Sequence, residues 1–365
     1  MALLACRDPS PPPPPSPPSR VAARPHDVPR APPDVPSAAP TVARPAPAPS
    51  PVPVDASVTA QVSPESHADA GAETRGGGFM GLNDDAVLAR ICNAPIERFE
   101  RNRGGSTISF RVRLAGGQRA LFKPQQRAEV ANFRAELAAY RMSRMLGLAR
   151  VPPACGRMVP RDALQRAADG SGDPEFSRRV LTELLGRGDN VPGAMLFWVP
   201  GQLESVPETE SYPLLLDAAR PLPDDKRTLA ADLSTLLVFD FVNDNVDRWS
   251  GGNILRPRVG AGEPPGRMLY MDNGAAFSAI HEGLGARPDD QARRLGLVQR
   301  FSRSVVESLR VMTEESLRRA MSEDPLGACL SDAQIRAVLT RRDRVMAHVG
   351  RLAEARSEAE LYPFP

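Results

Sequence analysis

The chain has 365 residues, a formal net charge of +2 and a hydrophobic fraction of 41%. Its basic residues form no stripe interleaved with aromatic residues, so the sequence lacks the electrostatic footprint of a nucleic-acid-binding protein. The four cysteines are scattered without CxxC spacing, and they predict no disulfide framework.

The N-terminal part of the chain has the composition of an unfolded tail. Twenty of the 39 prolines precede residue 79, and large apolar residues are rare there. Such a segment cannot bury enough apolar surface to fold. We therefore expect residues 1–78 to form a disordered tail, which is either a stiff polyproline spacer or filler without a role. Residues 79–365 are predicted to fold, with an N-lobe at about 79–200 and a C-lobe at about 201–365.

The extreme N-terminus leaves two localisations open. Met1 to Cys6 resembles the end of a bacterial lipoprotein signal, but its apolar stretch is shorter than the roughly 7–15 residues that such a signal needs. We expect either a cytoplasmic protein or, if translation starts upstream of Met1, a lipid-anchored, exported one. A membrane is an expected partner only in the second case.

The first folded elements are predicted to be a short helix and a β-hairpin. The helix covers 84–90, and alternating apolar residues over 108–114 indicate a half-buried strand. Gly116 and Gly117 predict the hairpin turn, after which 120–123 returns as the partner strand. Lys123 ends this strand.

Helices dominate the rest of the chain. They are predicted at 129–146, near 161–168 and 176–185, at 228–242, near 291–321 and at 331–356, where Ser331 and Gln334 form a capping box. Buried strands are predicted at 193–200 and 268–271. Strands early and helices late indicate an α+β fold with a small β-rich N-lobe and a helical C-lobe.

Lysine usage is unusual. Only Lys123 and Lys226 are lysines among 46 basic residues, so lysine is retained where arginine is the rule. A compact ammonium acts as a point charge on phosphate oxygens in a narrow pocket, where a broad guanidinium does not fit. Lys226 lies in the polar run 224–227 and is predicted to be a surface residue. Lys123 is either a phosphate-binding residue or a lysine that has been retained by chance.

Two polar segments provide candidate residues for phosphoryl transfer. The loop 243–253 follows an apolar helix, and its Asp247 and Asn253 suit an acceptor-orienting carboxylate and a Mg²⁺ or Mn²⁺ ligand. Asp272 ends a short apolar strand before Asn273 and Gly274, which suits a metal clamp. Each segment alone is also compatible with an ordinary polar turn. Their order after a glycine loop, the strand lysine Lys123 and the helix acid Glu136 is the order found in kinases.

The chain resembles the secretory-pathway kinases over most of residues 100–315. The resemblance rests on five segments in order, namely Ala120–Pro124, Ala135–Tyr140, Arg150–Val159, Val238–Arg248 and Met271–Gly274. That family includes the Golgi casein kinase, its xylose-phosphorylating relative and the four-jointed kinase, and is distantly similar to phosphoinositide kinases and the HipA toxin kinases. It implies a two-lobed atypical protein-kinase-like fold.

The resemblance also implies roles for individual residues. Lys123 would bind the ATP phosphates with Glu136 as its helix partner, and Asp247 would be the catalytic acid. Asp272 would bind Mg²⁺ or Mn²⁺, joined by Asn253, although Asn253 follows Asp247 by six residues where phosphoinositide kinases and HipA have five. The paired cysteines of the animal secreted kinases have no evident counterpart.

Two further segments are expected to contact the nucleotide. The backbone of Gly104, Gly105 and Ser106 would cover the phosphates, and the segment with Met195, Leu196, Phe197 and Trp198 would form the adenine-side hinge. The predicted function is an ATP-dependent kinase acting on a hydroxyl of a protein Ser/Thr or a carbohydrate. A nucleotide-binding pseudokinase and a non-catalytic interaction protein are the alternatives.

Overall fold

Five strands between residues 96 and 197 form the larger of the two antiparallel sheets found among the described residues. The computed structural model describes residues 78–206, 211–249, 253–260, 266–278 and 289–364, so most of the predicted tail lies outside the described residues. The strand order is β1-β2-β3-β5-β4. These strands are β1 (Ile96–Arg101), β2 (Phe110–Leu114), β3 (Arg119–Pro124), β4 (Ala154–Pro160) and β5 (Asn190–Phe197).

The predicted hairpin is confirmed. β2 and β3 pair with Phe110 opposite Phe122 and Arg111 opposite Leu121. Gly116 and Gly117 turn the chain with φ values of 81° and 80°, a region that favours glycine. Apolar residues that alternate with polar ones on β2 therefore point to one buried face.

The two faces of this sheet pack against different parts of the molecule. Phe110 and Met195 belong to a core cluster shared with helices α1 (Asp84–Asn93), α3 (Arg161–Asp169) and α4 (Pro174–Glu183). Leu196 belongs to a second cluster, which includes helix α2 (Phe133–Met145) and the C-terminal helices. Lys123 lies opposite Ala194 and so shares the face of Leu196.

A second sheet and seven helices follow within the described residues. The sheet has the order β6-β7-β8, with β6 (Leu203–Ser205), β7 (Ile254–Pro257) and β8 (Leu269–Tyr270). The helices are α5 (Tyr212–Leu215), α6 (Arg227–Asn243), α7 (Asp290–Gly296), α8 (Arg303–Val311), α9 (Glu314–Ser322), α10 (Asp332–Ala353) and α11 (Glu358–Leu361). No described helix is long and apolar enough to cross a membrane. The α+β prediction is confirmed.

The single helix predicted near 291–321 is wrong, because three helices occupy this region. Between α7 and α8 the chain leaves the helical path and bonds to the C-terminus, with the Phe301 N–H donating to the Leu361 carbonyl at 2.8 Å. A capping box of Thr313 and Ser316 then starts α9. Apolar spacing persists through all three helices, so periodicity alone does not reveal the breaks.

The cysteines were expected to form no disulfide framework, but the structure contains a disulfide. Cys92 at the end of α1 and Cys155 on β4 form a disulfide, with Cα atoms 5.9 Å apart and a sequence separation of 63. Cys329 is a buried free thiol. The pair forms because α1 packs across β4, a contact that cysteine spacing does not encode.

Candidate active site

Lys123 lies between two carboxylates that come from distant parts of the chain. Its Nζ is 2.5 Å from Oε1 of Glu136 and 2.8 Å from Oδ1 of Asp272, which follows Lys123 by 149 residues. The Glu136 side chain is 1% exposed and that of Asp272 is 49% exposed. The structure thus brings three of the predicted site residues together, with one buried carboxylate and one exposed carboxylate beside the lysine.

Short contacts between α2 and the segment after β8 fix this arrangement. Asn132 caps α2, and its own backbone N–H donates to the Gly274 carbonyl at 3.2 Å. The Asn273 N–H donates to Oε1 of Glu136 at 3.0 Å. A Cβ on Gly274 would lie 2.7 Å from the Val130 carbonyl oxygen, so a glycine is required for this close approach.

Electrostatics favour the charged forms of Lys123 and Asp272. Burial lowers the pKa of Lys123, but the carboxylates of Asp272 and Glu136 outweigh it and raise the pKa above its ordinary value. The Lys123 ammonium holds the pKa of Asp272 below its ordinary value of 3.8. Asp272 also has a φ of 52°, which is uncommon for a residue with a side chain and typical of functional sites.

A buried arginine joins the loop after α6 to the segment after β8. Both Arg248 and Asp240 have fully buried side chains, and they form an ion pair at 3.1 Å. Arg248 also donates to the backbone carbonyls of Met271 and Asn253 and, at 2.6 Å, to Oδ1 of Asn273. The neighbours of Asp247 and Asp272 in sequence are therefore held together through one guanidinium.

Asp247 and Asn253 lie in contact within the loop after α6. The Asp247 N–H donates to Oδ1 of Asn245 at 3.2 Å, and Nδ2 of Asn253 donates to the Asp247 carbonyl at 3.1 Å. The Nε2 of Gln291 contacts the Asn245 carbonyl and closes the loop from α7. The rest of the predicted polar loop, residues 250–252, lies outside the described residues.

The predicted glycine loop connects β1 and β2 close to the end of β3. Gln126, three residues after Lys123, makes two bonds of 2.9 Å with the backbone of Ile108, accepting from its N–H and donating to its carbonyl. Ser106 accepts from Arg179 of α4 through its carbonyl at 3.1 Å. Gly104, Gly105 and Ser106 are exposed. The base of the loop is thus attached to the segment that follows Lys123.

The predicted hinge residues divide between the two faces of the sheet. Met195 and Phe197 are 0% and 8% exposed, and they pair with Phe122 and Ala120 on the face opposite to Lys123. Leu196 lies on the Lys123 face. Trp198 follows β5, and its ring lies 5.4 Å from the Arg111 guanidinium carbon and 5.6 Å from that of Arg119.

Strand alternation separates the side chains of the four predicted hinge residues, and the hinge itself stays a prediction. Because Met195 and Phe197 point away from Lys123, their side chains cannot contact a ligand bound beside Lys123. Of the four predicted residues, Leu196 and Trp198 have side chains that reach this face.

Glu136 and Asp272 suit a divalent cation whose other ligands are phosphate oxygens. Oε2 of Glu136 is buried and has no hydrogen-bond partner among the described residues, which leaves it free to bind a metal. Mg²⁺ is usually held by one or two carboxylates, with water and substrate phosphates supplying the other ligands. Within the described parts of the chain, no group of three or more His, Cys, Asp or Glu side chains forms a complete metal site. The donor set therefore suits a metal that arrives with a nucleotide.

Sequence reasoning missed the residues that hold the site together. The sequence predicts no role for Arg248, Asp240, Asn273 or Gln126. One signal was present, since Asp240 lies in the otherwise apolar run 236–242, and a carboxylate buried in a core helix requires a partner. Nothing in the pattern pointed to Gln126.

Comparisons with known proteins agree with this architecture. No family model matches the chain. A glycosaminoglycan xylosylkinase homolog from Drosophila melanogaster is 24% identical over 229 residues, which are 52% of this chain and 53% of that protein. The chain thus spans about half the length of the curated relative that it matches.

Solved structures match over a larger share of the chain. The Golgi casein kinase, solved also with Mn/ADP bound, has a TM-score of 0.60 at 18% identity, covering 76% of this chain and 77% of that chain. The structure of hydra Fam20 with sugar has a TM-score of 0.59 at 19% identity, covering 76% of this chain and 90% of that chain. The chain therefore has the kinase-like fold of the Golgi casein kinase, and its resemblance to the secretory-pathway kinases is confirmed.

Proposed function

We propose that the protein is an ATP-dependent kinase that transfers the γ-phosphoryl group to a hydroxyl acceptor. The observation that carries the proposal is the contact of Lys123 with both Glu136 and Asp272, at 2.5 and 2.8 Å. In protein kinases a strand lysine that is paired with a helix glutamate binds the ATP phosphates, and a nearby aspartate holds the metal.

Each residue has a role in the proposed reaction. Lys123 binds phosphate oxygens, and Glu136 orients Lys123. Asp247 accepts the proton of the attacking hydroxyl, whose oxygen bonds to the γ-phosphorus while the bond to the β-phosphate oxygen breaks and ADP leaves. Asp272, Glu136 and Asn253 would hold Mg²⁺ or Mn²⁺. Such an ion neutralises the charge that develops on the phosphates.

Several residues order the site before the substrate binds. Arg248 keeps the loop of Asp247 against the segment of Asp272, so neither acid has to be ordered on binding. Gln126 holds the base of the loop with Gly104 and Gly105, whose N–H groups would cover the phosphates. Leu196 and Trp198 would lie at the adenine side.

The acceptor is proposed to be a protein or a sugar. The similar proteins include both a casein kinase and a xylosylkinase homolog. A pseudokinase is the alternative, but a chain that only binds nucleotide has no need of Asp247.

Incubation with labelled ATP and Mn²⁺ tests the proposal. Casein-like peptides and xylosides serve as acceptors, and Asp247→Ala is the control. We expect transfer by the native protein and a loss of about 10²-fold or more in the variant, with ADP binding retained. A stabilisation of the protein by ADP and Mn²⁺ without transfer would favour the pseudokinase. The absence of any ADP-dependent stabilisation would overturn both the kinase and the pseudokinase function.

A further inference from the structure

A short segment that ends in the first turn of α1 packs against three parts of the candidate active site. We define this N-terminal wedge as residues 78–85. Phe79 is 0% exposed and forms a small apolar cluster with Phe197, Val199 and Leu269. Its ring lies edge-on to that of Phe197, with centroids 6.1 Å apart. The wedge thus contacts both the end of β5 and the strand β8.

The contact with β8 bears directly on Asp272. Leu269 lies on β8, and Met271, the residue before Asp272, packs against the same cluster. β8 has only two residues and is paired with β7. Phe79 therefore supports, from behind, the backbone that presents Asp272 to Lys123.

The wedge also contacts the helix that carries Glu136. The Asp84 side chain is 5% exposed and accepts from Tyr140 Oη at 3.1 Å and from Arg144 at 3.0 Å. Tyr140 follows Glu136 by four residues, so both project from the same side of α2. The other Asp84 oxygen accepts from the Phe79 N–H at 2.7 Å. One buried carboxylate thus joins Phe79 to α2.

The wedge has a specific backbone shape. A Cβ on Gly78 would lie 1.9 Å from the Leu82 carbonyl oxygen and 2.7 Å from Oδ1 of Asp84, so only glycine fits there. Met80 and Gly81 have φ values of 54° and 76°. A non-glycine residue held in this region requires compensation from its surroundings. The contacts of Phe79 and Asp84 supply this compensation.

We propose that Phe79 and Asp84 are positioning residues, which hold Asp272 and the α2 helix so that Asp272 and Glu136 meet Lys123. They act through their contacts with Leu269 and Tyr140. This inference rests on the proposed kinase function. Its structural part, the placement of α2 and β8, can be measured without turnover.

Full-length Phe79→Ala and Asp84→Asn test the proposal. At a temperature where circular dichroism shows both variants folded, we expect kcat to fall about tenfold or more while the KM for ATP changes less than about twofold. Phe79→Leu should restore most of the activity, because it refills the apolar cluster. Asp85→Asn is the matched control. Asp85 is 85% exposed, and its contact with the same Arg144 is long, at 3.8 Å. It should leave kcat unchanged.

Hydrogen exchange provides the second readout. In Phe79→Ala, amides in 133–146 and 268–273 should exchange faster, while those of α10 should not change. Unchanged kcat together with unchanged exchange in the folded variants would overturn the proposal. If the native protein itself transfers no phosphate, the kinase function fails, and the exchange result alone decides whether the wedge positions α2 and β8.

Discussion

Replacing Lys123 by Met removes the ammonium between the two carboxylates and keeps an unbranched side chain. The two acids differ in exposure, at 1% for Glu136 and 49% for Asp272. Asp272 can be rehydrated in the variant, whereas Glu136 would remain buried without a cation. The loss of stability is therefore expected to come from Glu136.

The size of the effect follows from the burial of Glu136. Removing one partner of a buried ion pair costs about 3–5 kcal/mol, and an exposed pair adds less than about 1 kcal/mol. Urea unfolding should show the free energy of unfolding of Lys123→Met lowered by about 3–5 kcal/mol. Adding Glu136→Gln should recover most of this loss, because a neutral amide can still accept from the Asn273 N–H.

The other lysine provides the control. Lys226 lies 3.8 Å from Asp225 and is 43% exposed, so Lys226→Met should change the free energy of unfolding by less than about 0.5 kcal/mol. The reasoning would be refuted if Lys123→Met unfolded with the same free energy as the native protein. It would also be refuted if adding Glu136→Gln recovered none of the lost stability. Lys123→Arg should keep the fold and lose most transfer activity, because the guanidinium is too broad for the phosphate site.

Three further predictions concern stability. Arg248→Met should lower the free energy of unfolding by about 3–5 kcal/mol, and adding Asp240→Leu should restore most of it, as urea titration would show. Reduction of the disulfide, or Cys92→Ser, should cost about 4 kcal/mol for a loop of 63 residues, measured by unfolding with and without reductant. The pKa of Asp272 is lowered in the folded protein. Its contribution to the free energy of unfolding is therefore fully present at pH values above its ordinary pKa of 3.8, and is lost as the pH falls through the lowered pKa. The stability difference between the native protein and Asp272→Asn should be constant at about pH 5–9 and shrink below about pH 4. A difference that grows on acidification would contradict this assignment.

Local patterns in the sequence predicted much of the fold. The β2–β3 hairpin, α6 and the capping box that starts α10 were predictable, because periodicity and turn chemistry are encoded by neighbouring residues. The break between α7 and α8 was not predictable, because it depends on the hydrogen bond from the Phe301 N–H to the Leu361 carbonyl, 60 residues away.

The candidate site divides in the same way. The sequence by itself determined that Lys123 is exceptional and that Glu136, Asp247 and Asp272 follow it in the order of a kinase. Only the tertiary structure decided that Lys123 contacts both Glu136 and Asp272, that Arg248 joins the two polar segments, and that Phe79 packs behind them. The physical reason is that side-chain chemistry is local, whereas burial and ion pairing depend on which distant segments pack together.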